Sequence, residues 1–85
     1  MSTLTPDDAR TAVLTAIERV APDADTASLA GDADLLDELL LDSMDLLNIV
    51  VAVHELTGIE IPERDYGRLG TLDDFTSYLT DHAGS

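Results

Sequence analysis

The chain has 85 residues, 18 of them acidic against four arginines, with no lysine, no cysteine and a formal charge of −14. That length predicts one domain, residues 1–85 with an ordered core over about 4–82, whose interior is so small that it must fold simply. The missing cysteines exclude disulfides and thiolate metal sites, so any thiol chemistry must borrow its thiol from outside. The charge disfavours nucleic acid and anionic membranes as partners and favours proteins with basic patches, although solubility alone also accounts for it.

Thr5-Pro6-Asp7-Asp8 opens a first helix with a capping hydroxyl, a proline at the first helical position and carboxylates at the positive dipole end. Val13, Ile17 and Val20 recur at helical spacing, with Ala9 and Ala16 on the same side, and Pro22 lies just past the natural end. Residues 21–42 form a long connection rich in Asp, Ala and Ser. Structureless connections of this length are uncommon in small domains, so Leu29, Leu35, Leu36 and Leu39 are expected to pin it to the core through a short turn of helix. Its carboxylates fail the calcium-loop pattern counted from Asp23, for want of the central glycine and the terminal glutamate.

The second long helix is predicted from about Ser43 to Leu56. Leu46, Ile49, Val50 and Val53 gather on one face, bordered by Leu47. Asp45, Asn48, Ala52 and Glu55 lie on the other, flanked by Met44 and Val51. Gly58 suits the left-handed cap that ends it. Ile59 and Ile61 of the extended link are expected to plug the core, and Pro62 to open a short helix through Tyr66. Gly67 and Gly70 punctuate the next turn. Thr71-Leu72-Asp73-Asp74 then caps a last helix with Leu72, Phe75 and Leu79 inward, and residues 83–85 are expected to fray. No signal peptide is visible, and the longest apolar run, Ile49 to Val53, is far too short to cross a bilayer, so a cytoplasmic protein is expected.

Intrinsic catalysis finds no support. A nucleophilic Ser43 needs a base within hydrogen-bond reach, yet His54 lies eleven residues on along the same predicted helix, roughly 16 Å away at the helical rise, and His82 is near the chain end. No Gly-x-Ser-x-Gly elbow, no histidine and cysteine cluster for zinc and no Gly-rich phosphate loop with lysine occurs. No catalytic or metal-binding residues are therefore assigned. At a helix start, Ser43 is instead suited to modification by another enzyme: the unpaired amides of a first turn and the helix dipole favour a phosphodiester there. Asp42 and Asp45 would repel such an anion somewhat, and suit a basic partner or a metal ion. Spacing alone leaves a second reading open, in which Asp42 or Ser43 is only a helix cap.

Leu41-Asp42-Ser43-Met44-Asp45 resembles the Asp-Ser-Leu or Asp-Ser-Met signature of acyl carrier proteins, in which such a serine carries a phosphopantetheine arm. The similarity continues through the apolar helix, Gly58-Ile59-Glu60-Ile61-Pro62, the short helix and Thr71-Leu72, with Asp32-x-Asp34-Leu35 in place of the loop leading to the site. It covers nearly the whole chain. The resemblance implies an all-α four-helix bundle with three longer helices, one short helix and a long first loop. It also implies that Ser43 is the covalent attachment site of 4′-phosphopantetheine from coenzyme A. The arm's thiol would hold an acyl group as a thioester while the protein catalyses nothing, and Leu46, Ile49, Val50 and Ile61 would part to admit an acyl chain. The partners so implied are a phosphopantetheinyl transferase and acyl-loading and acyl-processing enzymes with basic docking patches. The chain has no obvious apolar stripe for self-association beyond a patch at Met44 and Val51, so a monomer is expected.

Met44, Val51 and Ala52, ringed by Asp42, Asp45 and Glu55 and joined by Asn48, form the candidate docking face; alternatively Met44 and Val51 pack against the long loop. Two departures stand out. The family usually has glycine two or three residues before the serine, where this chain has Leu40 and Leu41, so the entering loop is expected to be stiffer or more buried. Its recognition helix is commonly richer in glutamate, whereas Asn48 and His54 stand here; His54, close to the apolar face, is expected to be a partly buried structural residue. These changes point to a dedicated pathway rather than general fatty-acid synthesis. An aminoacyl carrier of peptidyl or D-alanyl type is the alternative. It is opposed by Leu40-Leu41 where peptidyl carriers usually have a glycine pair, and by Asp45 where D-alanyl carriers usually have glycine. A third reading is an unmodified acidic interaction module with the same fold.

Overall fold

The computed structural model describes residues 4–82, so the expected fraying of residues 83–85 lies outside the described residues. Its elements are α1 (Pro6–Val20), α2 (Leu35–Glu38), α3 (Ser43–Thr57), a 3₁₀ turn (Glu63–Arg68) and α4 (Leu72–His82), and no strand occurs among the described residues. The chain is all-helical, with the three long helices expected from sequence, and α2 is the short turn of helix expected in the long connection. The short helix expected from Pro62 through Tyr66 is the 3₁₀ segment, fourth in chain order; it extends two residues beyond the predicted end, and Pro62 takes its N-cap position rather than standing inside it.

α1 starts where a threonine-proline pair makes helix entry favourable: the Asp8 amide donates to Thr5 Oγ1 at 3.1 Å. Its stripe Ala9, Val13, Ala16 and Ile17 is wholly buried, because α1 packs against both α3 and α4. Ile49, Val50 and Val53 of α3 and Leu72, Phe75 and Leu79 of α4 complete the centre of the core. Each such side chain contributes about 1.5–3 kcal/mol on burial, which compensates for the small interior.

The long connection is held at defined points. Leu29 and Leu35 are buried, whereas Leu36 and Leu39 are half-buried. Backbone hydrogen bonds clip the segment to the start of α4: Asp73 N donates to Gly31 O at 2.9 Å, Leu35 N donates to Gly70 O at 2.8 Å, and Asp34 and Thr71 form an isolated bridge. Gly31 lies close to the start of α4: a Cβ there would stand 2.8 Å from the Asp73 carboxyl carbon, so the exposed Asp73 side chain would have to turn aside. Thr71 caps α4 by accepting from the Asp74 amide at 3.0 Å. At the other end of α3, Gly58 takes φ 75° and its amide donates to His54 O at 2.7 Å. Ile61 of the following link is buried and Ile59 half-buried.

The 3₁₀ turn is tied to α4 through Tyr78, a buried residue not among those predicted to face inward. Its hydroxyl donates to Asp65 at 2.7 Å, the Arg68 guanidinium lies 5.2 Å from its ring centre and the His82 ring stacks on it at 4.0 Å. Burial, then the hydrogen bond to Asp65 and the charge of that carboxylate, raise the Tyr78 pKa above the ordinary tyrosine value, while Arg68 and Arg64 work in the opposite direction.

Candidate functional site

The site is the junction between α2 and α3. α2 is short but capped at both ends. Asp34 Oδ1 accepts from the amides of Leu36 and Asp37 at 3.0 and 3.1 Å. At its other end, Leu41 N donates to Leu36 O at 2.8 Å and Leu40 N to Asp37 O at 3.4 Å. Those two bonds are the paired bonds of a Schellman motif, in which the residue after the cap must turn left-handed. That residue is Leu40, at φ 55°. Glycine is the usual occupant because a side chain in this conformation costs about 1–2 kcal/mol. The loop thus keeps the glycine-type backbone without the glycine. Its Leu40 side chain is 91% exposed, not more buried as expected from sequence. The half-buried pair Leu36 and Leu41 occupies the positions between which such motifs commonly place an apolar contact.

α3 then begins with a reciprocal cap. Asp42 Oδ1 accepts from the Asp45 amide at 2.9 Å, and Asp45 Oδ2 accepts from the Asp42 amide at 3.2 Å. Capping at Asp42 decides between the two cap readings left open by spacing. Ser43 occupies the first helical position, is exposed, and among the described residues its hydroxyl has no hydrogen-bond partner. The amides of Ser43 and Met44 also lack intrahelical partners, as the first positions of any α-helix do. The junction therefore presents a free hydroxyl and two free amides on a rigid helix start, between carboxylates engaged by the backbone.

The outer face of α3 exposes most, but not all, of the residues expected to form a docking surface. Met44 is 63% and Val51 50% exposed, so neither packs away against the long loop. Asp42, Asn48 and Glu55 are exposed with them, and Asp45 is half-buried. Ala52 is a correction: at 7% exposure it belongs to the core rather than the docking face. The buried arc of α3 is wide, and a small side chain at its margin is covered. His54 is a second correction, since it is exposed and not partly buried. It follows Val53 by about 100° around the helix, which carries it past the buried arc onto the solvent side. Leu47, expected to border the apolar face, is 38% exposed on the solvent margin. The exposure of Leu40 was the feature missed, and its signal was a leucine directly before a helix-start motif at a position usually held by glycine.

A family model described as a phosphopantetheine attachment site matches residues 11–79 of the chain, spanning α1 to α4. The chain belongs to the acyl carrier protein family. Relatives agree over shorter stretches. The acyl carrier protein of Zymomonas mobilis is 39% identical over 51 residues, 60% of this chain and 65% of that protein. That of Bdellovibrio bacteriovorus is 35% identical over 63 residues, 74% of this chain and 78% of that protein. The alignment thus spans just under two thirds of the first relative's length. The prosthetic group of the family is 4′-phosphopantetheine, held covalently through a phosphodiester. The junction fits such a group: an unbonded exposed hydroxyl can be esterified, and free first-turn amides at the positive end of α3 can face the resulting anion. No described helix of this carrier-family chain is long and apolar enough to cross a membrane.

Proposed function

We propose that this chain holds acyl intermediates as thioesters on a phosphopantetheine arm attached to Ser43, for fatty acid, polyketide or related biosynthesis. The observation that carries the reading is the division of labour at the start of α3. Asp42 caps the helix, so the neighbouring hydroxyl is left exposed and unbonded. In the attachment step the Ser43 oxygen attacks the coenzyme A phosphorus that bears the pantetheine. A P–O bond forms, the pyrophosphate bond breaks, 3′,5′-ADP leaves and the serine proton passes to a base on the transferase. The arm then supplies the thiol that this cysteine-free chain lacks. The chain's own work is to present the serine, dock partners and shelter cargo.

The docking reading rests on Met44 and Val51, with Asp42, Asp45, Asn48 and Glu55 around them; the partners are a phosphopantetheinyl transferase and acyl-handling enzymes with basic patches. Leu46, Ile49, Val50 and Ile61 are the residues proposed to part for an acyl chain, and all four contribute to the apolar core.

Mass spectrometry after incubation with coenzyme A and a broad-range phosphopantetheinyl transferase tests the assignment. One arm is expected on the wild-type chain and none on Ser43→Ala. An arm that still appears on Ser43→Ala refutes the site. No arm on the wild type, under conditions that modify a control carrier, makes the chain an unmodified interaction module. Loading assays on the holo form with acyl and aminoacyl donors then distinguish the cargo class.

A further inference from the structure

Leu40 combines two properties that nothing inside the molecule explains. Its backbone is in the left-handed conformation disfavoured for a branched side chain, and that side chain is 91% exposed, more than any other large hydrophobic described. Packing therefore contributes almost nothing to offset the backbone penalty. The turn does not need leucine either, because its two hydrogen bonds come from backbone groups and glycine would make both. Strain retained without an internal return, beside a reactive group, points to a function outside the folded chain.

We propose that Leu40 is a docking residue for the transferase that esterifies Ser43, inserting into an apolar pocket on that enzyme framed by lysine or arginine. The inference rests on Ser43 being the attachment site. An enzyme acting on the Ser43 hydroxyl must bring its active site to the start of α3. Three residues of chain span at most about 11 Å, and even a modest protein interface extends further than that, so the footprint of such an enzyme covers Leu40. Downstream enzymes dock on the chain as well, but their chemistry takes place at the far end of the arm and does not bring their active sites to Leu40. The surroundings set the chemistry of the pocket rim: Asp37, Glu38 and Asp42 are exposed carboxylates on either side of Leu40, and no arginine or lysine stands between Arg19 and Arg64. The leucine also precedes the exposed Met44 and Val51 of α3, so apolar surface flanks Ser43 on both sides in sequence. Leu40 touches no reacting atom, so its contribution is to binding.

The test is the steady-state kinetics of arm transfer by a broad-range transferase with coenzyme A, following Leu40→Gly, Leu40→Asn and Leu40→Met, with circular dichroism to verify the fold. Glycine relieves the backbone and removes the side chain. Asparagine tolerates the left-handed conformation and is polar. Methionine restores an apolar side chain. Leu40→Gly and Leu40→Asn are expected to raise KM for the carrier about tenfold or more, the scale of a buried leucine, with kcat little changed, and Leu40→Met to recover most of the loss. Unchanged kcat/KM in the glycine and asparagine variants overturns the proposal while leaving Ser43 as the attachment site. A loss confined to glycine and expressed in kcat overturns it too, since loop rigidity then explains the effect. A wild-type chain that accepts no arm, beside a control that does, removes the attachment reading and this inference together.

Discussion

Replacing Asp42 tests whether helix capping and partner attraction are separate properties of one carboxylate. Asp42→Ala removes the acceptor that holds the Asp45 amide at 2.9 Å, leaving that donor without its cap. Losing such a cap costs about 1 kcal/mol, with a range of about 0.5–2. Losing the charge at the positive end of α3 adds about 0.3–1 kcal/mol, but in a chain of charge −14 the relief of self-repulsion offsets part of this. The expected total is about 1–1.5 kcal/mol. For a domain of this size, each kcal/mol shifts the midpoint by about 4–8 °C, so Tm should fall by about 4–12 °C. Asp42→Asn keeps an oxygen acceptor and loses only the charge, for which the dipole and repulsion terms largely cancel; its Tm should stay within about 3 °C of wild type. Thermal unfolding by circular dichroism at low ionic strength measures both, and hydrogen exchange at the Asp45 amide reports the cap directly. The same Asp42→Asn variant should still lower kcat/KM for arm transfer, with the defect shrinking as salt is added. An alanine variant as stable as wild type would refute the capping argument. An asparagine variant as unstable as alanine would show that charge, not the hydrogen bond, holds the helix start.

Two further outcomes follow from other residues. Leu40→Gly should stabilise the apo chain by about 0.5–1 kcal/mol: relief of the left-handed conformation exceeds the entropy that glycine adds to the unfolded state, and almost no buried surface is lost. Chemical denaturation measures it, and a destabilised glycine variant would contradict the assigned turn. Tyr78→Phe should lose about 1–2 kcal/mol at neutral pH with its hydrogen bond to Asp65. Because folding raises the Tyr78 pKa, the neutral form is favoured in the native state. Its contribution is fully present below the ordinary value of 10.0 and is lost as pH rises from there through the folded pKa. Urea unfolding from pH 8 upward should show this loss in wild type and not in Tyr78→Phe. A Tyr78 that ionises at or below 10.0, followed by absorbance, would refute the assigned environment.

The parts of this structure legible in the sequence are those governed by local backbone chemistry. Thr5-Pro6 opens α1, Gly58 closes α3 at φ 75° and Thr71 caps α4, each because one side chain or one missing side chain satisfies the helix end. Periodicity located the core stripe of every long helix but not its width. Ala52 lies at the edge of the α3 stripe, and whether such a position is covered depends on the neighbouring elements rather than on its own spacing. His54 was misplaced for the same reason in the opposite direction. Tyr78 stands three residues after Phe75 and beside Leu79, so helical spacing already places it on the buried face of α4; what spacing does not encode is the bond of its hydroxyl to Asp65 on a distant segment. The Asp34–Thr71 bridge and the close approach of Gly31 to Asp73 are likewise long-range contacts, visible only once α4 is set against the first loop.

The α2–α3 junction explains why so short a motif can present a serine well. Two helix ends meet across Leu39 to Asp42, and each is closed by its own backbone logic. A left-handed turn at Leu40 satisfies the carbonyls of α2, and the reciprocal Asp42–Asp45 cap satisfies two amides at the start of α3. With both ends closed by other residues, nothing in the junction requires the Ser43 hydroxyl, and it stays exposed on a backbone fixed from both sides. Glycine at position 40 would close α2 equally well. The leucine therefore adds nothing to the presentation of the serine, and what it adds instead is apolar surface three residues from the Ser43 hydroxyl, where the transferase proposed above would make contact.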